Sequence, residues 1–472
     1  MQCSIPTPRP QFAAFAACLA LLAGGCWVSA ASAARLVEEE GDAASVAASL
    51  RPGGEAVSSH TGDEPGRRMT RLSNAGPTIR VNGDDEFAAA VAQLRRTGGT
   101  IVLGPRRFGQ LIVGPRSNKP LVIVAERGAE AQRVLFDHTQ QVELSGVRVS
   151  PLHTGPATVD VVDSHDITLA QLIVTSGRTR RPAGLAIWRS SRIAVTDSLF
   201  ERCGDGELCV RLKQTRDVTI ANSIFRDCYG CDFVHGHSNT GVELRGNSFQ
   251  RALVGDCGRD RERCNHQDLV QLVEGGNVVI DGNRFGVHEH GAAQLYLTGE
   301  IRRVVITNNV FVPTDPLAPG RLAETAIWVG NKRTTVVPLD VTIEGNTILT
   351  GSVRRGGRAN RGTANSILLS PAYASKPAAL RPLVANNVVG LTGTPDRLCS
   401  QVQASVANVV ITGTPCSATD VLGEPELDAS GQPTAASTLL IDRAFLRYSP
   451  PVDIRGIARG ETPDVGAFEY VG

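Results

Sequence analysis

The sequence predicts an all-β solenoid, in which short strands wind into coils that stack in parallel, with one short helix at the start. Three observations carry that prediction. First, a motif of the form apolar-x-apolar, then a small or polar pair, then an apolar residue, recurs along the chain. It starts at Val142, Ile167, Ile193, Val218, Val242, Val278, Val304, Val341 and Leu383. The early starts lie 25, 26, 25 and 24 residues apart, and the later gaps of 36, 26, 37 and 42 read as the same unit carrying inserted loops. Second, Asn recurs at one corner of the later units (VELRGNSF, VVIDGNRF, VVITNNVF, VTIEGNTI), and the stretches between strands are too short and too Gly-rich for crossover helices. Third, 42% of the chain is hydrophobic, only 4% is aromatic and 49 of 472 residues are Gly. A core made of Val, Ile and Leu on narrow repeated elements fits that composition.

Composition also excludes function classes. With 48 basic and 47 acidic residues there is no charge excess to drive nucleic-acid or polybasic membrane binding. After residue 30 no apolar run approaches the ~20 residues of a membrane span.

Residues 1–33 read as a secretion signal: Arg9 precedes the apolar stretch QFAAFAACLALLAGG at 11–25. Ala31-Ser32-Ala33 fits a cleavage site, while Leu22-Ala23-Gly24-Gly25-Cys26 offers the alternative of a lipoprotein signal with Cys26 as lipid anchor. Either places the protein outside the cytoplasm, secreted or in a bacterial envelope. Residues 34–76, rich in Glu, Ala, Ser and Gly without a sustained period, are expected to be a flexible linker. Asp84 then suits the N-cap of a helix carrying Phe87, Val91 and Leu94 on one face and ending before Gly98-Gly99. Such a helix would cover the open apolar end of the stack, with Thr100–Leu103 as the first strand. The solenoid is expected over 77–430 and a closing segment over 431–472.

Two motifs carry a family resemblance. The helix followed by GGTIVL, and Asp453-Ile-Arg-Gly456 followed by Asp464-Val-Gly-Ala-Phe-Glu469, resemble the opening and closing of exported bacterial proteins of the pectate-lyase-like superfamily. The resemblance implies a right-handed parallel β-helix from residue 77 onward, and action on, or binding to, a polysaccharide. The family holds lyases, hydrolases, epimerases and non-catalytic surface proteins, so it specifies fold better than reaction.

If coils stack, residues at one offset before each repeat form rows ~4.8 Å apart. Eight back gives Val159, Leu185, Val210, Val234, Val270 and Tyr296; six back gives Val161, Ile187, Leu212, Gly236, Leu272 and Thr298. Both rows are expected to face inward. Alternation sends the seven-back row outward: Asp160, Ala186, Arg211, His235, Gln271 and Leu297. The nine-back row, with Cys209, Phe233, Leu269 and Leu295, is expected beside it as an apolar strip. A polar ridge flanked by an apolar one suits sugar binding, with Gln271, His266, Phe233 and Asp160 as candidate contacts; a face covered by the long loops is the plainer alternative.

Ten back, Asp232 and Asp268 fall on adjacent coils. At ~5 Å two unit charges repel by roughly 1–3 kcal/mol, so a raised pKa, a cation such as calcium, or a neighbouring His or Arg must relieve them. Two Asp side chains capping backbone groups is the alternative. Five of nine histidines (His235, His237, His266, His288, His290) crowd the same region. For β-elimination on an acidic polysaccharide the candidates are His235, Arg211, Asp232 and Asp268, with Asp232 and Asp268 also the calcium ligands. Paired-carboxylate hydrolysis and non-catalytic binding by a monomer remain open.

Eight cysteines follow the linker: Cys203, Cys209, Cys228, Cys231, Cys257, Cys264, Cys399 and Cys416. In an exported chain they are expected to form disulfides. Shared offsets suggest Cys203–Cys228, with Cys209–Cys231 the remaining pair; Cys257–Cys264 and Cys399–Cys416 bracket local segments. Zinc at Cys228, Cys231, His235 and His237 is the competing reading.

Overall fold

The structure is a computed structural model that describes residues 76–150, 158–175, 184–203, 208–253, 268–286, 293–312, 325–331, 334–349, 365–391 and 395–472. It is a right-handed parallel β-solenoid of about ten turns. Each turn contributes strands to three faces, and every inter-strand pairing between coils is parallel, as in Val210↔Val234↔Val270↔Leu295 on the first face. The second face runs through Ile193↔Val218↔Val242↔Val278↔Val304↔Val341, so the repeat starts do stack in register. The third runs through Phe200↔Phe225↔Phe249↔Phe285↔Phe311.

Those phenylalanines are fully buried and stack ring on ring, with centroids 4.5–5.0 Å apart. Beside the stack runs a chain of buried polar side chains at the corner. Asn247, Asn283, Asn309, Asn346 and Asn387 each accept, through Oδ1, the backbone N–H of the corner residue one coil earlier, at 2.9–3.0 Å. Their Nδ2 groups donate to carbonyls of the preceding coil, for example Asn309 to Ile280 at 2.8 Å. The sharp corner leaves backbone groups that no strand can pair, and one amide per coil satisfies them. Asn309→Ala, which orphans several buried groups at once, is expected to cost about 2–4 kcal/mol in urea unfolding.

The helix at Asp84–Gln93 covers the N-terminal end through Phe87, Ala90 and the following Leu94. Its N-cap is Gly83 rather than Asp84. The Asp84 carboxylate instead accepts the N–H groups of Gly109 and Gln110 from the strand Arg107–Val113, at 3.0 and 3.3 Å. A tertiary acceptor role has displaced the local one.

Strands extend to Val421–Leu422, and the remaining residues fold back along the third face. Val465 and Leu440 pack with Val388 and Val409, and Ala467 and Phe468 with Val310. The closing motif builds a buried polar knot. Asp453 Oδ1 accepts the N–H groups of Arg455 and Ile457, and Oδ2 that of Glu469. Asp464 accepts from Asp442 and Tyr470. Arg459, with a side chain only 1% exposed, pairs with Glu469 at 3.1 Å and donates to the Asp464 and Gly466 carbonyls.

Three disulfides lie among the described residues: Cys203–Cys209, Cys228–Cys231 and Cys399–Cys416. The third has the expected partners. The first two do not: Cys203 and Cys228 are stacked on adjacent coils, but each pairs within its own stretch of chain. A left-handed turn at Gly230 (φ 65°) lies inside the second pair, and one at Arg202 (φ 53°) immediately precedes the first; the pairs have Cα–Cα distances of 5.3 and 5.7 Å. Cys257 and Cys264 lie outside the described residues.

A candidate active site on the first face

The site is set by outward positions on five adjacent strands. Arg211 on Leu208–Lys213 is in register with His235 on Asp232–Arg245, which pairs with Gln271 on Asp268–Asp281. Gln271 pairs with Tyr296, and Tyr296 with Trp328. Coil spacing of about 4.8 Å therefore makes these five one continuous row. Asp160 stands two coils earlier in the same row, beyond Ala186.

Beneath the row, Asp232 and Asp268 stand on neighbouring coils, as the register predicts. Asp232 Oδ1 accepts the Asp268 N–H at 2.9 Å, and Asp268 Oδ1 accepts the Ala293 N–H at 2.8 Å. Each carboxylate thus caps the next coil, the opposite direction to the Asn side chains at the other corner, which cap the preceding one. Asp268 is wholly buried; burial, and then the neighbouring Asp232 charge, push its carboxyl well above the usual carboxylate range. Of the three expected reliefs of repulsion, the one found at Asp268 is a raised pKa. Because the folded-state value lies above the unfolded one, Asp268 stabilises the fold in acid, and that contribution is lost as pH rises through the elevated pKa. Asp268→Asn is expected to abolish this loss, so melting temperatures of variant and wild type should diverge in the variant's favour as pH rises above the ordinary carboxylate range.

The other oxygen of Asp232 meets His235 Nδ1 at 3.0 Å. A carboxylate can only accept here, so Nδ1 carries a proton, and in the neutral form of the ring the lone pair is then on Nε2. The His235 side chain is 28% exposed and the Asp232 side chain 8%, an orienting acid beneath a reachable base.

Three further basic residues, Arg211, Lys213 and His237, flank this pair. Arg211 and Lys213 alternate outward on one strand, in register with His235 and His237 on the next. Both Arg211 and Lys213 are exposed, and the Arg211 guanidinium carbon lies 5.5 Å from the Trp188 ring centroid. His237 Nδ1 is 2.8 Å from Ser238 Oγ, which donates to Glu274 at 3.1 Å. The Lys213 and His237 row was there to be found five positions before each repeat, where Trp188 also falls.

Tyr296 corrects the expected rows. The eight-back count places it inward and Leu297 outward, yet the structure seats Leu295 and Leu297 inside and Tyr296 in the outward row. The register shifts at a bulge between Val273 and Gly275, where the partner strand carries one more residue. Tyr296 stacks against Trp328, centroids 4.8 Å apart, and burial raises its phenol pKa. Phe233 is also not on the open face: it is fully buried, 6.0 and 6.2 Å from Phe225 and Phe249. At the strand's start the corner turns this ring into the core, and Leu269 on the next coil is likewise buried. Asp160 is half-buried and paired with Arg133 at 3.6 Å; burial raises its pKa and Arg133 offsets part of the rise. His266 lies outside the described residues.

The Asp232 and Asp268 oxygens do not suit calcium, which takes six to eight oxygen ligands. Three of the four are turned to N–H donors, and Asp268 is enclosed. Among the described residues, the cluster with metal-ligand spacing is instead Cys203, Cys209 and Cys231, all within disulfides.

No curated protein sequence matches the chain. Residues 133–351 match the family described as a right handed beta helix region. Among solved structures, pectate lyase Pel9A aligns at 15% identity over 83% of this chain and 96% of its own, with a TM-score of 0.45. An alginate lyase from Paenibacillus sp. str. FPU-7 aligns at 12% identity over 54% and 94%, TM-score 0.36. The Streptococcus pneumoniae surface protein and adhesin PfbA aligns at 12% over 72% and 91%, TM-score 0.40. At such identities and TM-scores these likenesses carry no argument about this chain. The chain folds as a right-handed parallel β-helix, and the match to the family model runs through every strand that bears the row from Asp160 to Trp328.

Proposed function

We propose that the protein is an exported enzyme that cleaves an acidic polysaccharide by β-elimination. The observation that carries this reading is the Asp232–His235 pair, whose hydrogen bond turns Nε2 outward as a base beside Arg211, Lys213 and His237. Arg211 and Lys213 bind the uronate carboxylate and stabilise the negative charge that develops when the adjacent C–H is broken. His235 Nε2 takes that proton; the electron pair becomes the new C=C bond as the C–O bond to the leaving sugar breaks. The same Nε2–H returns the proton to the leaving oxygen, so one residue closes the proton balance. Gln271 offers hydrogen bonds to sugar hydroxyls, and Trp328 an apolar face for a pyranose ring.

The test is a panel of polyuronates and neutral glycans followed by the ultraviolet absorbance of the unsaturated sugar, with and without a chelator. Chelator-resistant absorbance on a polyuronate supports the reading. New reducing ends without absorbance would replace it with hydrolysis, and retention on glycan without product would replace it with binding.

A further inference from the structure

The four cysteines beside the site do not behave, in space, as two separate pairs. The sulfurs of Cys203, Cys209 and Cys231 all lie within 4.8 Å of one another, although Cys231 is bonded to Cys228 and the other two to each other. Cys228 stands outside that triplet. All four side chains are buried, on two successive coils. We propose that they form one disulfide-exchange cluster, in which Cys231 is the sulfur that moves between partners.

The chemistry balances without an added oxidant. Once a dithiol has opened Cys228–Cys231, taking up the disulfide itself, the Cys231 thiolate attacks the sulfur of Cys203 or Cys209. A new S–S bond forms, the Cys203–Cys209 bond breaks, and the displaced thiolate takes a proton from water. Exchange turns two local loops into a link between coils. Cys231 immediately precedes Asp232, and Cys209 lies two residues before Arg211. On the proposed function, the exchanged link would therefore tether the strand that orients the base to the strand that binds the carboxylate.

The decisive variant is Cys228→Ser in the full chain, quenched in acid, alkylated, and mapped by mass spectrometry of its peptides. The expected result is loss of the free Cys231 thiol, with a disulfide from Cys231 to Cys203 or Cys209 and a newly alkylated partner. Cys231→Ser should instead keep Cys203–Cys209 intact and leave Cys228 free. Should Cys228→Ser not fold, wild type opened with limiting dithiothreitol gives the same readout, and singly reduced molecules should carry label on mixed pairs. A fully alkylated Cys231 beside an intact Cys203–Cys209 bond, or label confined to Cys228 with Cys231, overturns the proposal. None of these readouts uses glycan turnover, so failure here and failure of the elimination reading are told apart.

Discussion

His235→Ala is expected to lower the rate of polyuronate elimination by about 10²–10⁴-fold, the usual contribution of a positioned general base. The fold should survive, because the side chain points outward and is partly exposed. Asp232→Asn is the sharper companion. It keeps an oxygen for the Asp268 N–H, but an amide nitrogen facing Nδ1 would favour the opposite tautomer, with the proton on Nε2 and no lone pair toward the substrate. Both variants should therefore lose turnover while retaining polyuronate, as measured by affinity electrophoresis beside the absorbance assay. Arg211→Ala should weaken retention as well. Full turnover in His235→Ala would remove the residue on which the mechanism depends.

Arg459→Met is expected to be the most destabilising single change, at about 3–5 kcal/mol in urea unfolding, because one partner of a buried ion pair is left without the other. Burial opposes charge at both ends: it pushes the Arg459 guanidinium down and the Glu469 carboxyl up. The pair persists because Arg459 also satisfies two carbonyls that no strand reaches. Arg459→Met with Glu469→Gln should recover part of the loss, as no unpaired buried charge remains. An equal loss in single and double variants would show that the carbonyl contacts, not the ion pair, hold the knot.

How far the site was legible depended on how regular the coils are. From Val159 to Val270 the repeat starts differ only by loops placed outside the strands, so counting back found the inward row and, with it, Arg211, His235 and Gln271 on one outward line. The count failed at Tyr296 because the extra residue there sits inside the strand rather than between strands, a change that spacing cannot distinguish from a longer loop. Phe233 was misplaced for a different reason. Alternation holds in the middle of a strand, whereas the corner at its start turns the ring toward the aromatic stack. The cysteine partners were misassigned because a shared offset stacks Cys203 on Cys228 without showing that each also lies within bridging distance of a cysteine in its own stretch of chain, the second pair closing across the left-handed turn at Gly230. The hydrogen bond from His235 to Asp232 was not legible at all: the register supplied both residues, but not the orientation that selects a tautomer.

The line of corner amides has a direction. It runs from Asn247 to Asn408 and finishes on Asp420, whose Oδ1 accepts the Asn408 N–H and Nδ2 at 3.0 Å, while Oδ2 accepts from Ser405, Cys416 and Ser417. A carboxylate has no N–H to hand back to an earlier carbonyl, so it closes the series as a full stop closes a sentence. Duplicating a unit upstream of that point would extend the protein by one legible word. A unit appended after Asp420 would meet no side-chain amide to donate to it, and a backbone N–H already turned to Ser417.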